Sequence, residues 1–255
     1  MMEALRAELV KAWPDRGTAW LLATGVTLSV AVSAVSVAAA RCPAAGCGQD
    51  PARISLTGAY PGQVVAALAG VLVIGGEYGT GMIRVSLAAV PRRGRLLAAK
   101  AIVVAGLVAA ASAVAVGAAM LAGRLILPGH GFTAASGLDL AGAGWWRASL
   151  CAVACLALTA LLGLGVAAAV RDSAAATGVT LGILYLFPVA AGLVQAPDLR
   201  RHLEQISPLS AALDSQSTAG LSSLPLSPWQ GLGVVALWAA AALVLGGLVL
   251  RLRDA

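Results

Sequence analysis

This chain contains two pairs of closely spaced cysteines, a residue type whose thiols can form disulfides. Cys42 and Cys47 are separated by four residues that include a proline and a glycine, which favour a tight turn. Because cysteines outside the cytosol tend to oxidise, a disulfide is expected there, with two free thiols as the alternative. Cys151 and Cys155 are four apart in an apolar run, so they share one face of a helix, and we interpret them as packing residues.

Catalytic and metal-binding patterns are missing from the sequence. The two histidines, His130 and His202, both lie outside the long apolar runs. No HExxH or Gly-x-Ser-x-Gly motif occurs, and no acidic residue lies near the middle of a long apolar run, where a proton-coupled carrier would need one. The phosphate-binding motif G-x-x-x-x-G-K-[ST] is also absent. We therefore expect no catalytic residues, no metal site and no cofactor bound by this chain.

A segment at residues 77–100 carries the most informative combination of residue types. It contains Glu77, a short amphipathic stretch with Arg84, and then Pro91 followed by several arginines. Glu77 could pair with Arg84 or with a neighbouring helix, because an unpaired carboxylate at a membrane edge is costly. Two interpretations stay open for the segment: a solvated basic loop that only fixes membrane topology, or a docking element for a soluble partner.

The overall composition indicates that these residues belong to a membrane protein. Of 255 residues, 60% are hydrophobic and 11% are charged, against about 45–50% and about 25% in typical soluble domains. Six apolar runs reach the roughly 20 residues that a helix needs to cross a bilayer. We therefore predict an all-α membrane protein with one domain over residues 1–255 and helices near residues 17–40, 58–76, 101–123, 148–170, 173–194 and 228–250.

The basic residues predict how the helices are oriented. With the N-terminus inside, eleven of the 17 lysines and arginines lie on the inner side and six on the outer side, in agreement with the excess of basic residues in cytoplasmic loops. Both termini are then cytosolic, and the chain is a multi-pass protein of the cytoplasmic membrane, in contact with membrane lipids. The basic residues lie between apolar runs rather than on one soluble face, so no nucleic-acid binding is expected.

Two further segments are predicted to lie outside the spanning helices. Residues 2–13 have apolar side chains at helical spacing that end at Trp13, so we predict an amphipathic helix on the inner membrane surface. That helix would serve either as an anchor for the first spanning helix or as a grip for a partner. Residues 195–226 begin with a polar, helix-like part and continue with a Ser/Pro-rich part, which we interpret as an outer re-entrant or surface element.

The segment EYGTGMIRVSLAAVPRRGRLLAAK resembles the loop between helices two and three of type-2 permeases of ATP-binding cassette exporters, especially actinobacterial ones. The start, LRAELVKAWPDRGTAWLLA, is similar to their N-terminal elbow helix running into helix one. The resemblance implies a coupling helix between helices two and three that sits in a groove of the nucleotide-binding subunit. The docking candidates that it implies are Glu77, at the family's acidic position, with Gly79, Thr80, Ile83, Arg84, Leu87, Pro91, Arg92 and Arg93.

The same resemblance implies a function for the whole chain. It would be the membrane-spanning permease subunit of an ATP-driven exporter, with ATP used by a separate cytosolic ATPase subunit and a pathway enclosed by two identical or related permease subunits. The low polarity of the mid-membrane positions favours an amphipathic or lipid-like substrate. The connection before the last helix is longer and more polar than the family's re-entrant hairpin. The alternative is a non-transporting membrane scaffold or sensor that anchors a cytosolic partner.

Overall fold

The structure, a computed structural model, describes residues 16–42, 48–82, 93–132 and 142–252. Within these ranges the chain forms nine α-helices, two short 3-10 turns and no strand. In chain order the helices are α1 (Arg16–Ala39), α2 (Pro51–Ser55), α3 (Ala59–Gly79), α4 (Arg93–Ile126), α5 (Ala143–Val170), α6 (Ser173–Leu193), α7 (Pro197–Ile206), α8 (Pro208–Ser215) and α9 (Pro228–Leu252). The predicted amphipathic helix at residues 2–13 and residues 83–92 of the predicted coupling segment lie outside the described residues.

Six of these helices are long and apolar enough to cross a membrane, namely α1, α3, α4, α5, α6 and α9. The predicted all-α, multi-pass architecture is therefore confirmed. The spanning helices alternate in direction, so their ends fall into two groups. We call the end that holds the C-terminus of α3 and the N-terminus of α4 the ion-pair end. The opposite end, where α2, α7 and α8 lie, is called the hairpin end.

Helices α4 and α5 begin earlier than the apolar runs predict. α4 starts at Arg93 rather than near residue 101, and α5 starts at Ala143 rather than near residue 148. The prediction ended each helix at its flanking charge, but Lys100 and Arg147 lie within these helices and find partners inside the protein. A charged residue therefore marks the edge of the apolar run and not the end of the helix.

Helix α5 lies at the centre of the bundle and packs against α9, α3 and α4. In its most apolar window 67% of residues are buried, against 17–50% in the other five spanning helices. Two glycines let its neighbours approach closely. A Cβ on Gly163 would lie 2.4 Å from the carbonyl oxygen of Ala67 in α3, and one on Gly165 would lie 2.4 Å from the carbonyl carbon of Ala242 in α9. Small residues of this kind bring membrane helices into backbone contact.

Replacing Gly165 by Ala should lower the melting temperature of the purified protein in detergent. The added methyl group collides with the backbone of α9, and overpacking of this kind costs about 1–3 kcal/mol. Gly106→Ala is the matched control, because nothing lies within 4 Å of a Cβ at Gly106 and alanine is the better helix former. Equal melting temperatures for the two variants would contradict the close contact between α5 and α9.

Candidate functional site

A buried ion pair joins α3 to α4 at the ion-pair end. Lys100 Nζ donates a hydrogen bond of 2.9 Å to Glu77 Oε1, and the two side chains are only 1% and 6% exposed. A charge removed from water in this way is stable only with a partner of opposite sign. Of the two partners predicted for Glu77, the described residues provide the one on a neighbouring helix, since Lys100 belongs to α4. Arg84 lies outside the described residues.

At the ion-pair end, two arginines donate hydrogen bonds to carbonyl groups at the C-terminus of α9. Arg93 Nη1 donates to the carbonyl oxygen of Leu250 at 2.6 Å, and Arg171 Nη2 donates to that of Val249 at 3.3 Å. The last four carbonyl groups of a helix lack partners within it, and the negative end of the helix dipole attracts cations. Arg93 opens α4 and Arg171 follows α5. The ion-pair end therefore connects α3, α4, α5 and α9.

The described docking candidates lie at this end but differ in accessibility. Gly79 and Thr80 are exposed where α3 ends, whereas Glu77 is buried and Arg93 is half-buried against α9. Because Glu77 is buried, it can hold the exposed end of α3 in place but cannot itself contact a partner. The remaining candidates lie outside the described residues, so their docking role stays a prediction: Ile83, Arg84, Leu87, Pro91 and Arg92.

A cavity of about 400 Å³ lies beside the ion pair, between α1, α3 and α4. Both Glu77 and Lys100 line it, and most of the other lining residues are apolar. Leu72 and Met82, on its rim, are exposed at the surface of the bundle. The cavity thus combines apolar walls with a charged pair.

At the hairpin end, α7 lies against α6 with no buried residue, whereas α8 is buried and packs against α9. Trp238 Nε1 donates a hydrogen bond of 3.0 Å to the carbonyl oxygen of Ile206, the last residue of α7. Trp238 lies ten residues after Pro228 at the start of α9, which corresponds to about 15 Å along the helix, and its side chain leans back toward that start. The hydrogen bond therefore holds the junction of α7 and α8 against α9. The outer re-entrant or surface element predicted for residues 195–226 stays a prediction.

The end of α8 is fixed by two charged residues from other parts of the chain. Asp50 caps α2 by accepting from Ala52 N at 3.0 Å, and it also accepts from Thr218 Oγ1 at 2.6 Å, from Ala219 N at 2.9 Å and from Thr218 N. Arg147 of α5 donates to the carbonyl oxygen of Ser217 at 2.6 Å. These contacts hold the turn after α8 against α2 and α5.

The described cysteines fall into an oxidised and a buried class. Cys42 is disulfide-bonded, and its predicted partner Cys47 lies outside the described residues, so the pairing stays a prediction. Cys151 and Cys155 are free and buried, and Cys155 Sγ lies 3.4 Å from Ser215 Oγ of α8. This placement agrees with their interpretation as packing residues. Among the described residues, no three His, Cys, Asp or Glu side chains are grouped as metal ligands would be.

Sequence reasoning missed Lys100, Asp50 and Arg147 as structural contacts. A signal existed for Lys100, because it and Glu77 are opposite charges near the facing ends of consecutive antiparallel helices. No local signal existed for Asp50 or Arg147, since their partners lie far away in the chain. Comparison with models of protein families and with curated proteins finds no match for this sequence.

Glu77→Gln should destabilise the protein strongly, because it removes the carboxylate that accepts a hydrogen bond from the buried ammonium of Lys100. Removing one member of a buried pair costs about 3–5 kcal/mol, which thermal unfolding in detergent would register as a large fall in melting temperature. Glu204→Gln is the control, since Glu204 pairs with Arg200 at 3.0 Å on the surface, where such pairs contribute about 0–1 kcal/mol. A similar small effect for both variants would argue against the buried pair.

Proposed function

We propose that this chain is the membrane-spanning permease subunit of an ATP-driven exporter of the ATP-binding cassette type-2 class. In this proposal a separate cytosolic ATPase subunit binds and hydrolyses ATP, and this chain has no catalytic residue and binds no cofactor. A second permease subunit, identical or related, encloses the pathway with it. The six spanning helices and the resemblance of residues 77–100 support the proposal.

The observation that carries the proposal is the set of contacts flanking the predicted coupling segment. Residues 83–92 lie between the end of α3 and the start of α4. Glu77 and Lys100 join these two helices through the buried ion pair, and Arg93 holds the C-terminus of α9. A displacement of the coupling segment by an ATPase would therefore act on α3, α4 and α9 together. For the ATPase to move this chain between two conformations, it must bind the two conformations with different affinities.

The orientation follows from the distribution of basic residues in the whole sequence. The ion-pair end and both termini face the cytosol, and the hairpin of α7 and α8 faces the exterior of the cytoplasmic membrane. The exposed side of α7 carries Arg200, Arg201 and His202. Charged groups of this kind avoid lipid and face water or protein. The pathway between the two permease subunits then runs along α7.

The cavity beside Glu77 and Lys100 supports an amphipathic substrate. Its apolar walls lie on α1, α3 and α4, and its charged pair lies near the cytosolic ends of these helices. An amphiphile in the inner leaflet would place its chain along the walls and its polar group near the pair. Membrane lipids are thus both the surroundings of the protein and the medium from which its substrate enters.

Affinity purification of the chain from its native membranes should recover an ATPase with a phosphate-binding loop. Arg84→Glu combined with Arg92→Glu should abolish this recovery and the stimulation of ATP hydrolysis by the permease, because the predicted coupling segment loses its positive charge. Arg201→Glu, an exposed arginine at the hairpin end, is the control and should leave recovery unchanged. Purification of a folded chain with partners but without any ATPase would favour the scaffold or sensor alternative.

Cysteine labelling on intact cells tests the orientation. Thr80 and Ser222 are exposed at the ion-pair end and at the hairpin end, and the native thiols give little background because Cys151 and Cys155 are buried. A membrane-impermeant maleimide should label Ser222→Cys in intact cells and Thr80→Cys only after permeabilisation. The reverse pattern would overturn the orientation and, with it, the docking proposal.

A further inference from the structure

A polar cavity of about 290 Å³ lies beneath the α7–α8 hairpin, separate from the cavity beside the ion pair. Helices α2, α3, α6, α7 and α8 all contribute to its walls. Its charged lining residues are Arg53, Arg200, Glu204 and Asp214, and the rest of the lining is mainly apolar. A volume of this size exceeds what a single metal ion with its ligands fills, and it suits a small organic molecule with both charged and apolar parts.

Two of the four charges neutralise each other within α7. Arg200 Nε and Glu204 Oε1 form an ion pair at 3.0 Å. Arg53 and Asp214 remain as the charges that determine what the cavity attracts. They come from α2 and α8, which are far apart in the sequence.

Asp214 is a buried acid with an unsatisfied oxygen. The residue is 5% exposed, and among the described residues no hydrogen-bond donor reaches its Oδ2. A buried carboxylate without a cation beside it costs free energy, and a cationic group in the cavity that Asp214 lines would lower that cost. Burial raises the pKa of Asp214 to about 6, while the charge of Arg53 lowers it and that of Glu204 raises it. The carboxyl group is therefore mostly ionised at pH 7.

Arg53 supplies the opposite charge at the same cavity. Its side chain is exposed, and within the described part of the chain it forms no ion pair with Asp214, although it is near enough to affect that acid. Among the described residues, one positive and one negative group without an ion-pair partner thus line the same cavity. A molecule that carries an ammonium and an anionic oxygen group would satisfy both at once.

We propose that this cavity binds a small zwitterion, with its ammonium group on Asp214 and its anionic oxygens on Arg53. Ammonium groups donate to carboxylates, and the guanidinium group donates to carboxylate or phosphate oxygens. A phosphoethanolamine group has this chemistry, whether it belongs to a lipid or to a free solute. The binding site does not depend on the proposed transport activity, and its occupancy is measurable in the absence of any ATPase.

The test uses glycerophosphoethanolamine as the zwitterionic probe, titrated by calorimetry into the full-length protein in detergent. Ethanolamine and glycerol 3-phosphate, which carry its two charges separately, are the matched ligands. We expect glycerophosphoethanolamine to bind and each half to bind at least about tenfold more weakly, since each loses a charge-assisted contact. Equal binding of either half, or no binding of the zwitterion at millimolar concentration, would overturn the proposal.

Variants locate the binding in the cavity. Asp214→Asn and Arg53→Gln should each weaken binding of glycerophosphoethanolamine about tenfold or more. Asp198→Asn and Arg201→Gln are charge-matched controls on the exposed surface of α7, and both should bind as the unaltered protein does. Because Arg53 is exposed, Arg53→Gln tests the site even if Asp214→Asn lowers the yield of folded protein. Unchanged affinity in Arg53→Gln would contradict the assignment.

Native mass spectrometry distinguishes the two sources of the zwitterion. The protein is reconstituted in nanodiscs that contain equal amounts of phosphatidylethanolamine and phosphatidylglycerol and is then released for measurement. Selective retention of phosphatidylethanolamine, lost in Arg53→Gln, identifies a lipid headgroup as the occupant. Binding of glycerophosphoethanolamine without retention of that lipid identifies a free solute. Retention of phosphatidylglycerol in preference to phosphatidylethanolamine would overturn the proposed site.

Discussion

A charge within a bilayer needs a partner inside the protein, and the buried contact between Glu77 and Lys100 meets this constraint at the ion-pair end. The contact fixes where α3 ends relative to α4, since both side chains are almost completely buried. Arg93 and Arg171 provide partners for buried backbone groups in the same way, because they donate hydrogen bonds to carbonyl groups at the end of α9. The ends of four helices are thus held by polar contacts, while apolar packing holds their middles.

The hairpin end follows the same rule with different groups. The turns of the α7–α8 hairpin leave backbone polar groups without partners in a helix, and such groups are costly where water does not reach them. Asp50 accepts hydrogen bonds from the backbone of the turn after α8, and Arg147 donates to a carbonyl group of the same turn. Trp238 donates to a carbonyl group at the junction of α7 and α8. Polar residues at both ends therefore act first as internal partners, and the few that remain unpaired stand out as candidates for binding.

The sequence predicts the number and position of the spanning helices well, because hydropathy over some twenty residues is a local property. Helix ends are predicted less well, since α4 and α5 begin before Lys100 and Arg147, the charges that flank the apolar runs. The partners of Asp50 and Arg147 depend on how distant segments meet, which no local pattern encodes. Glu77 illustrates an intermediate case: its need for a partner is evident from the sequence, but the choice of Lys100 depends on the packing of α3 against α4.

The glycine contacts of α5 have a consequence for how the bundle can deform. Where backbones touch at Gly163, Gly165 and Gly246, no side chain remains that could change its rotamer to absorb sliding, so α3, α5 and α9 behave as one solid block. By contrast, the glycines of α6 make no such contact, since nothing lies within 4 Å of a Cβ at Gly178, Gly182 or Gly192. A large rearrangement would therefore leave the block intact and shift α6 relative to it.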